Sequence, residues 1–117
     1  ALWRLLLNGS AIVAHQTVTI SGSTYTFDVG AASEFTCSAA INGATTFALT
    51  NHDQVPSGYR ARVVLTFTWT SGAITFSASG YTFSQATAPT ADGKAYNAIL
   101  TITGGSTVIG VQYTAGR

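Results

Sequence analysis

The sequence predicts an all-β protein, an antiparallel β-sandwich of the jelly-roll or Greek-key type. Apolar and polar residues alternate with a period near two along most of the 117 residues. A strand turns successive side chains to opposite faces with this same period. Turn-forming residues recur about every ten residues, as they do in sandwiches and barrels. The length fits a single β domain over residues 1–117.

The clearest strand covers residues 60–69, and we predict that it lies at the centre of the core. Its odd-numbered positions form an apolar face, and its even-numbered positions are mostly polar. The apolar positions are Ala61, Val63, Leu65, Phe67 and Trp69. β-branched and aromatic residues of this kind favour a pleated, half-buried surface.

Four pairs of segments flank turn-forming residues and are predicted to be hairpins. They are residues 3–7 with 11–14, 17–20 with 24–29, 60–69 with 73–77, and 95–103 with 107–113. Residues 34–40 and 45–50 are predicted as further strands, residues 51–58 as a loop and residues 79–90 as an irregular stretch. The two N-terminal hairpins either join the sandwich or form an arm over residues 1–30.

The composition is poor in charge, which restricts the classes of partner. Charged residues make up 8% of the chain, hydrophobic residues 46%, and the formal net charge is +1. A surface with little electrostatic repulsion fits either extensive burial in an assembly or a secreted β-domain rich in Thr and Ser. The five basic residues are scattered, which argues against nucleic-acid binding. The apolar run at residues 5–7 is far too short to span a bilayer.

No group of residues indicates catalysis, a cofactor or a metal, so we predict that the protein is not an enzyme. Cys37 is the only cysteine, and it is predicted to be a buried small residue on a strand rather than a reactive thiol. His52 and Asp53 are the only adjacent histidine and acid, and a hydrogen-bonded loop residue is the simpler interpretation of His52. The four carboxylates lie on separate segments and do not form an acid–base pair.

Aromatic residues provide a second functional hypothesis, since flat aromatic side chains bind sugars in many β-sandwich modules. Trp69 is predicted to fill the core. Tyr59 and Tyr81 lie near loops and are the predicted glycan contacts.

Residues 46–111 resemble a pattern found in tail, fibre and capsid-associated proteins of bacteriophages. The matching features follow one another in the order of the pattern. They are Phe47 to Asn51 followed by Gly58, Phe67 to Trp69, Tyr81 with Phe83, Ala88-Pro89-Thr90, the AYNAILTIT-like strand at 95–103, and Gly110-Val111. The pattern often has a tryptophan before the final Gly-Val, where this chain has Val108-Ile109.

The resemblance implies a structural protein of the virion. For a chain of this length it implies a capsid decoration, or cement, protein that binds the major capsid protein at the capsid surface as a homotrimer. The alternative is a tail-fibre or adhesin module that binds host surface glycans. The apolar N-terminal segment is the predicted contact with the shell or with other subunits, through Leu2, Trp3, Leu5 and Leu7.

Overall fold

The computed structural model describes residues 14–85 and 88–115. These residues form ten strands, and the only helical element among them is one turn of 3-10 helix, His52–Gln54. In chain order the strands are β1 (His15–Val18), β2 (Thr24–Asp28), β3 (Glu34–Cys37), β4 (Ile41–Asn42), β5 (Thr45–Thr50), β6 (Arg60–Ser71), β7 (Ile74–Ala78), β8 (Thr82–Gln85), β9 (Lys94–Thr103) and β10 (Val108–Ala115).

The strands form two sheets that face each other across the core. The large sheet has the order β1-β3-β6-β9-β10-β8, and β4 also pairs with β6. The small sheet has the order β2-β5-β7. The chain adds a strand to the large sheet, turns a corner, adds a strand to the small sheet, and then returns. This winding is a β-solenoid.

Three coils of the solenoid lie within the described residues: β1 with β2, β3 and β4 with β5, and β6 with β7. Six of the eight pairings among the ten described strands are parallel, including all five pairings between strands of the three coils. The antiparallel pairings join β6 to β9 and β9 to β10, and they extend the large sheet beyond the third coil.

The predicted antiparallel sandwich of jelly-roll or Greek-key type is therefore wrong, although the all-β class is confirmed. The alternation of apolar and polar residues is the same in parallel and antiparallel strands, so it does not reveal the direction of pairing. Two of the three described turns that the sequence predicts as hairpins, those at Gly22 and Gly72, are corners at which the chain passes from one sheet to the other.

The predicted hairpins have different outcomes. Residues 17–20 and 24–29 do not pair as a hairpin, because β1 belongs to the large sheet and β2 to the small sheet. Residues 15–28 form the first coil, with Tyr25 and Phe27 fully buried, and so they are not part of an N-terminal arm. Residues 73–77 pair with β5 and not with β6. The hairpin around residues 104–106 is confirmed, and the pair 3–7 with 11–14 lies outside the described residues.

The prediction that residues 60–69 form the central strand is confirmed. Strand β6 lies between β3 and β9 in the large sheet, and four side chains of its apolar face are buried. These are Val63, Leu65, Phe67 and Trp69. The burial of Cys37 on β3 is likewise confirmed.

Aromatic rings in register connect the three coils of the small sheet. Parallel pairing places Tyr25, Phe47 and Phe76 opposite one another on successive strands. The ring of Phe47 lies 5.8 Å from that of Tyr25 and 5.7 Å from that of Phe76, and both contacts are edge-to-face. It also meets Phe67 of the large sheet at 5.4 Å. Phe47 therefore joins all three coils and both sheets, in the geometry that aromatic pairs prefer.

One corner of the solenoid is built on two glycines in contact. Gly72, between β6 and β7, has a φ of +87°. A Cβ atom there would overlap the backbone of Gly43, which lies between β4 and β5 in the preceding coil. The amide of Gly43 donates a hydrogen bond to the carbonyl oxygen of Ser71 at 3.1 Å. Glycine is needed at position 72 both for its conformation and for the close approach of the two coils.

Candidate functional site

The candidate site lies at the opposite corner, where the chain leaves the small sheet. Parallel strands end at the same edge of a sheet, so the segments that follow β2 and β5 are neighbours. The amide of Val29, just after β2, donates to the carbonyl oxygen of Thr50 at the end of β5 at 3.1 Å. The segment after β5, residues 51–59, is the longest connection at this corner, and three contacts hold it in place.

The first contact is made by Asn51, which has a φ of 60°, a left-handed conformation uncommon outside glycine. Its side-chain amide donates a hydrogen bond to Asp28 Oδ1 at 2.7 Å. The backbone amide of Gly30 donates to the same oxygen at 2.9 Å. Asp28, at the end of β2, thus connects residues 51–59 to the first coil by a hydrogen bond.

The second contact is made by His52, which is 6% exposed. Its Nε2 atom lies 3.0 Å from the carbonyl oxygen of Ser79, so Nε2 carries the hydrogen and donates it. The ring meets Tyr81 edge-on, with the centroids 4.6 Å apart. His52 therefore fastens residues 51–59 to the segment that follows β7.

The third contact comes from the hairpin turn between β9 and β10. The amide of Gly104 donates to the carbonyl oxygen of Tyr59 at 2.8 Å. A Cβ atom at position 104 would overlap the carbonyl group of Pro56. The turn thus packs backbone to backbone against residues 56–59.

These contacts create a groove with a cavity volume of about 340 Å³, which we call the corner groove. Its lining is mostly apolar, with two side-chain amides and one guanidinium group. The lining residues are Val29, Gly30, Asn51, Gln54, Val55, Pro56, Tyr59, Arg60 and Ala61. Tyr59 is 67% exposed. An exposed aromatic ring beside amide groups provides a stacking surface together with hydrogen-bonding groups.

The residues predicted as contacts from the sequence lie in different places. Tyr59 lines the corner groove. Tyr81 is half-buried against the ring of His52 and is not among the residues that line the corner groove. The predicted shell or subunit contacts, Leu2, Trp3, Leu5 and Leu7, lie outside the described residues.

Sequence reasoning did not identify the other groove residues, of which Asn51, Gln54 and Arg60 carry polar groups. Asn51 and Gln54 were part of a segment predicted only as a loop, and Arg60 was assigned to the polar face of β6. The sequence does contain a signal for an exposed Tyr–Arg pair. It is the order of residues 56–60, in which Pro56 and a Ser-Gly turn are followed by Tyr59 and Arg60.

The remaining candidates for chemistry are held in structural roles. His52 is a hydrogen-bonded loop residue, as predicted, and the adjacent Asp53 is exposed and accepts a hydrogen bond from Gln54 Nε2 at 3.3 Å. Burial raises the pKa of the Cys37 thiol from its ordinary value of 9.0 to about 12, which keeps it protonated and unreactive near neutral pH.

Residues 14–85 and 88–115 contain no group of three or more His, Cys, Asp or Glu side chains arranged to hold a metal ion. No helix in the same residues has the length and apolar character needed to cross a membrane.

Comparison of the chain with protein-family models, with curated proteins and with solved structures gives no significant match. The corner groove is therefore interpreted from its own chemistry.

Proposed function

We propose that this chain is a non-enzymatic glycan-binding module of the phage tail-fibre or adhesin type. The observation that carries the proposal is Tyr59, a residue that is 67% exposed although it lines a groove that also contains the amide groups of Asn51 and Gln54. Sugars present apolar ring faces together with hydroxyl groups, and an aromatic ring with neighbouring amides complements both. The resemblance of residues 46–111 to tail, fibre and capsid-associated proteins of bacteriophages supports a place on the virion.

The rigidity of the site also supports a binding role. Asn51, His52 and Tyr59 each have a hydrogen bond, through side chain or backbone, to a different neighbouring segment. A preorganised groove loses little conformational entropy when it binds a ligand, which favours affinity.

A glycan array tests this proposal with three proteins: the wild type, Tyr59→Ala and Tyr59→Phe. Tyr59→Ala removes the ring, and we expect it to lower the affinity for the bound glycans by about tenfold or more, equivalent to about 1.4 kcal/mol. Tyr59→Phe retains the stacking surface and is the matched control. Circular dichroism checks that both variants fold. Wild-type protein that binds no glycan, or Tyr59→Ala that binds as the wild type does, would contradict the proposal.

A second candidate function is capsid decoration as a homotrimer bound to the major capsid protein. The observation that favours it is the scarcity of charge, with four acidic and five basic residues in the chain, since so little repulsion permits close packing between copies. Size-exclusion chromatography with light scattering tests it directly. A trimer at micromolar concentration and hundreds of copies per particle would support decoration, whereas a monomer would count against it.

A further inference from the structure

The corner groove has an uneven distribution of charge. Among the nine described residues that line it, Arg60 is the only one with a formal charge, and its side chain is exposed. A guanidinium group is always charged near neutral pH, and its planar fork matches the two oxygens of a carboxylate. The groove therefore presents one cationic side chain among the residues that it shares with Tyr59.

The two carboxylates nearest in sequence to the lining are engaged with the groove's own donors. Asp28 Oδ1 accepts hydrogen bonds from Gly30 and from the amide nitrogen of Asn51, at 2.9 and 2.7 Å. Asp53 Oδ1 accepts one from the amide nitrogen of Gln54 at 3.3 Å. The amide nitrogens of Asn51 and Gln54 are directed at these acids, and the oxygen of a side-chain amide can accept hydrogen bonds from sugar hydroxyls.

We infer that the glycan held in the corner groove is acidic and carries a carboxylate, as uronic and sialic acids do. The inference rests on the proposed function and specifies the ligand of the same site. In this arrangement the ring of Tyr59 stacks on the sugar and Arg60 binds the carboxylate by paired hydrogen bonds. The amide oxygens of Asn51 and Gln54 accept hydrogen bonds from hydroxyl groups.

The chain provides a matched control for Arg60. Arg62 lies two residues further along β6, so it faces the same side of the sheet, and it is also exposed. It does not line the corner groove and instead borders a separate depression with Ser33, Glu34 and Val64. Replacing either arginine with glutamine removes one charge from the same face of one strand. Only the Arg60 substitution removes it from the groove.

The experiment uses pairs of probes that differ in the carboxylate. The pairs are trigalacturonic acid with its methyl ester, and sialyllactose with its methyl ester. Isothermal titration measures the affinity of the wild type, Arg60→Gln, Arg62→Gln and Tyr59→Ala for each probe. We expect the wild type to bind at least one acid about tenfold or more tightly than its neutral counterpart. Arg60→Gln should abolish this preference, and Arg62→Gln should retain it.

The other outcomes separate this inference from the proposed function. If the wild type binds acid and neutral probes equally and Tyr59→Ala weakens both, the proposed function stands and the acidic specificity is wrong. If Arg62→Gln removes the preference as fully as Arg60→Gln does, the effect is one of general charge and the inference fails. If sulfated lactose binds and both carboxylates do not, the anion has been wrongly assigned. If no probe or array glycan binds, the proposed function fails with the inference.

Discussion

Cys37 and His52 are two buried side chains whose surroundings determine what they do. Cys37 lies on the inner side of β3, and burial raises the pKa of its thiol to about 12. His52 donates from Nε2 to Ser79, while Nδ1 is buried without a hydrogen-bond partner among the described residues. The protonation of the Cys37 thiol and the hydrogen bond of His52 therefore both affect the free energy of unfolding.

We expect alkaline conditions to destabilise the fold through Cys37. Its folded pKa lies above its unfolded value, so the unfolded state loses the thiol proton first as the pH rises. The contribution to stability is complete below about pH 9 and declines between about 9 and 12, by at most about 1.4 kcal/mol per pH unit. Urea unfolding of the wild type and Cys37→Ala across this range measures it. The variant should show the shallower decline, and equal slopes would contradict the prediction.

We expect His52→Ala to lower the free energy of unfolding by about 1–3 kcal/mol, because a buried hydrogen bond and a ring contact are lost together. Hydrogen exchange should also become faster in residues 51–59. His15 provides the control, since it is exposed and its Nε2 atom forms a hydrogen bond with Thr36 Oγ1 of β3 at 2.8 Å. If His15→Ala costs as much stability as His52→Ala, the structural role assigned to His52 is wrong.

Single elements illustrate how much of this structure was predictable. The limits of β5 and β9 followed closely from the alternation of apolar and polar residues, and so did the buried face of β6. The pairing partners of these strands could not be predicted in the same way. The same alternation fits either strand direction, and a turn such as Ser71-Gly72 fits either a hairpin or a corner. The recurrence of an aromatic residue at equivalent places in β2, β5 and β7 was the missed sign of coils in register.

The candidate site was less predictable than the strands, for a geometric reason. Its lining comes from three separate stretches, residues 29–30, 51–56 and 59–61, which become neighbours only when parallel coils stack. Tyr59 was identified because an aromatic residue beside a turn is informative by itself. Arg60 could not be identified as a site residue from the sequence. An arginine on the polar face of a strand does not indicate a binding site until the groove beside it is known.

We expect Gly104→Ala to disturb the corner groove from outside it. The added methyl group would overlap the carbonyl group of Pro56, and overpacking of this kind costs about 1–3 kcal/mol. Gly110→Ala is the matched control, because a Cβ atom there meets nothing within 4 Å. Hydrogen exchange of residues 55–59 and urea unfolding measure both variants. Equal effects of the two substitutions would show that the turn does not support the groove.

At the scale of the whole molecule, the solenoid depends on contacts between coils. Each strand of the small sheet has its partner in the neighbouring coil, and Phe47 touches rings from the coils on both sides and from the large sheet. Stability in stacked repeats is a sum of unit and interface terms. A residue shared by several interfaces therefore contributes more than one that belongs to a single interface.

We expect Phe47→Ala to cost about 3–5 kcal/mol, a large part of the stability of a domain of this size. Phe83→Ala is the comparison, since that ring is half-buried and contacts the ring of Phe76 at 5.4 Å. It should cost clearly less. Thermal and denaturant unfolding followed by circular dichroism measure both variants, and a smaller loss for Phe47→Ala would contradict the assigned central role.

Because Gly43 and Gly72 are in contact, we expect the two corners of the solenoid to differ in how well they tolerate inserted residues. Extra residues at the glycine corner would push apart two backbones that already touch, so chain length there is constrained. The opposite corner already accommodates connections of unequal length, with residues 51–59 the longest. New recognition loops should therefore be grafted after β2 or β5, where they can alter binding specificity without changing the stacking of the coils.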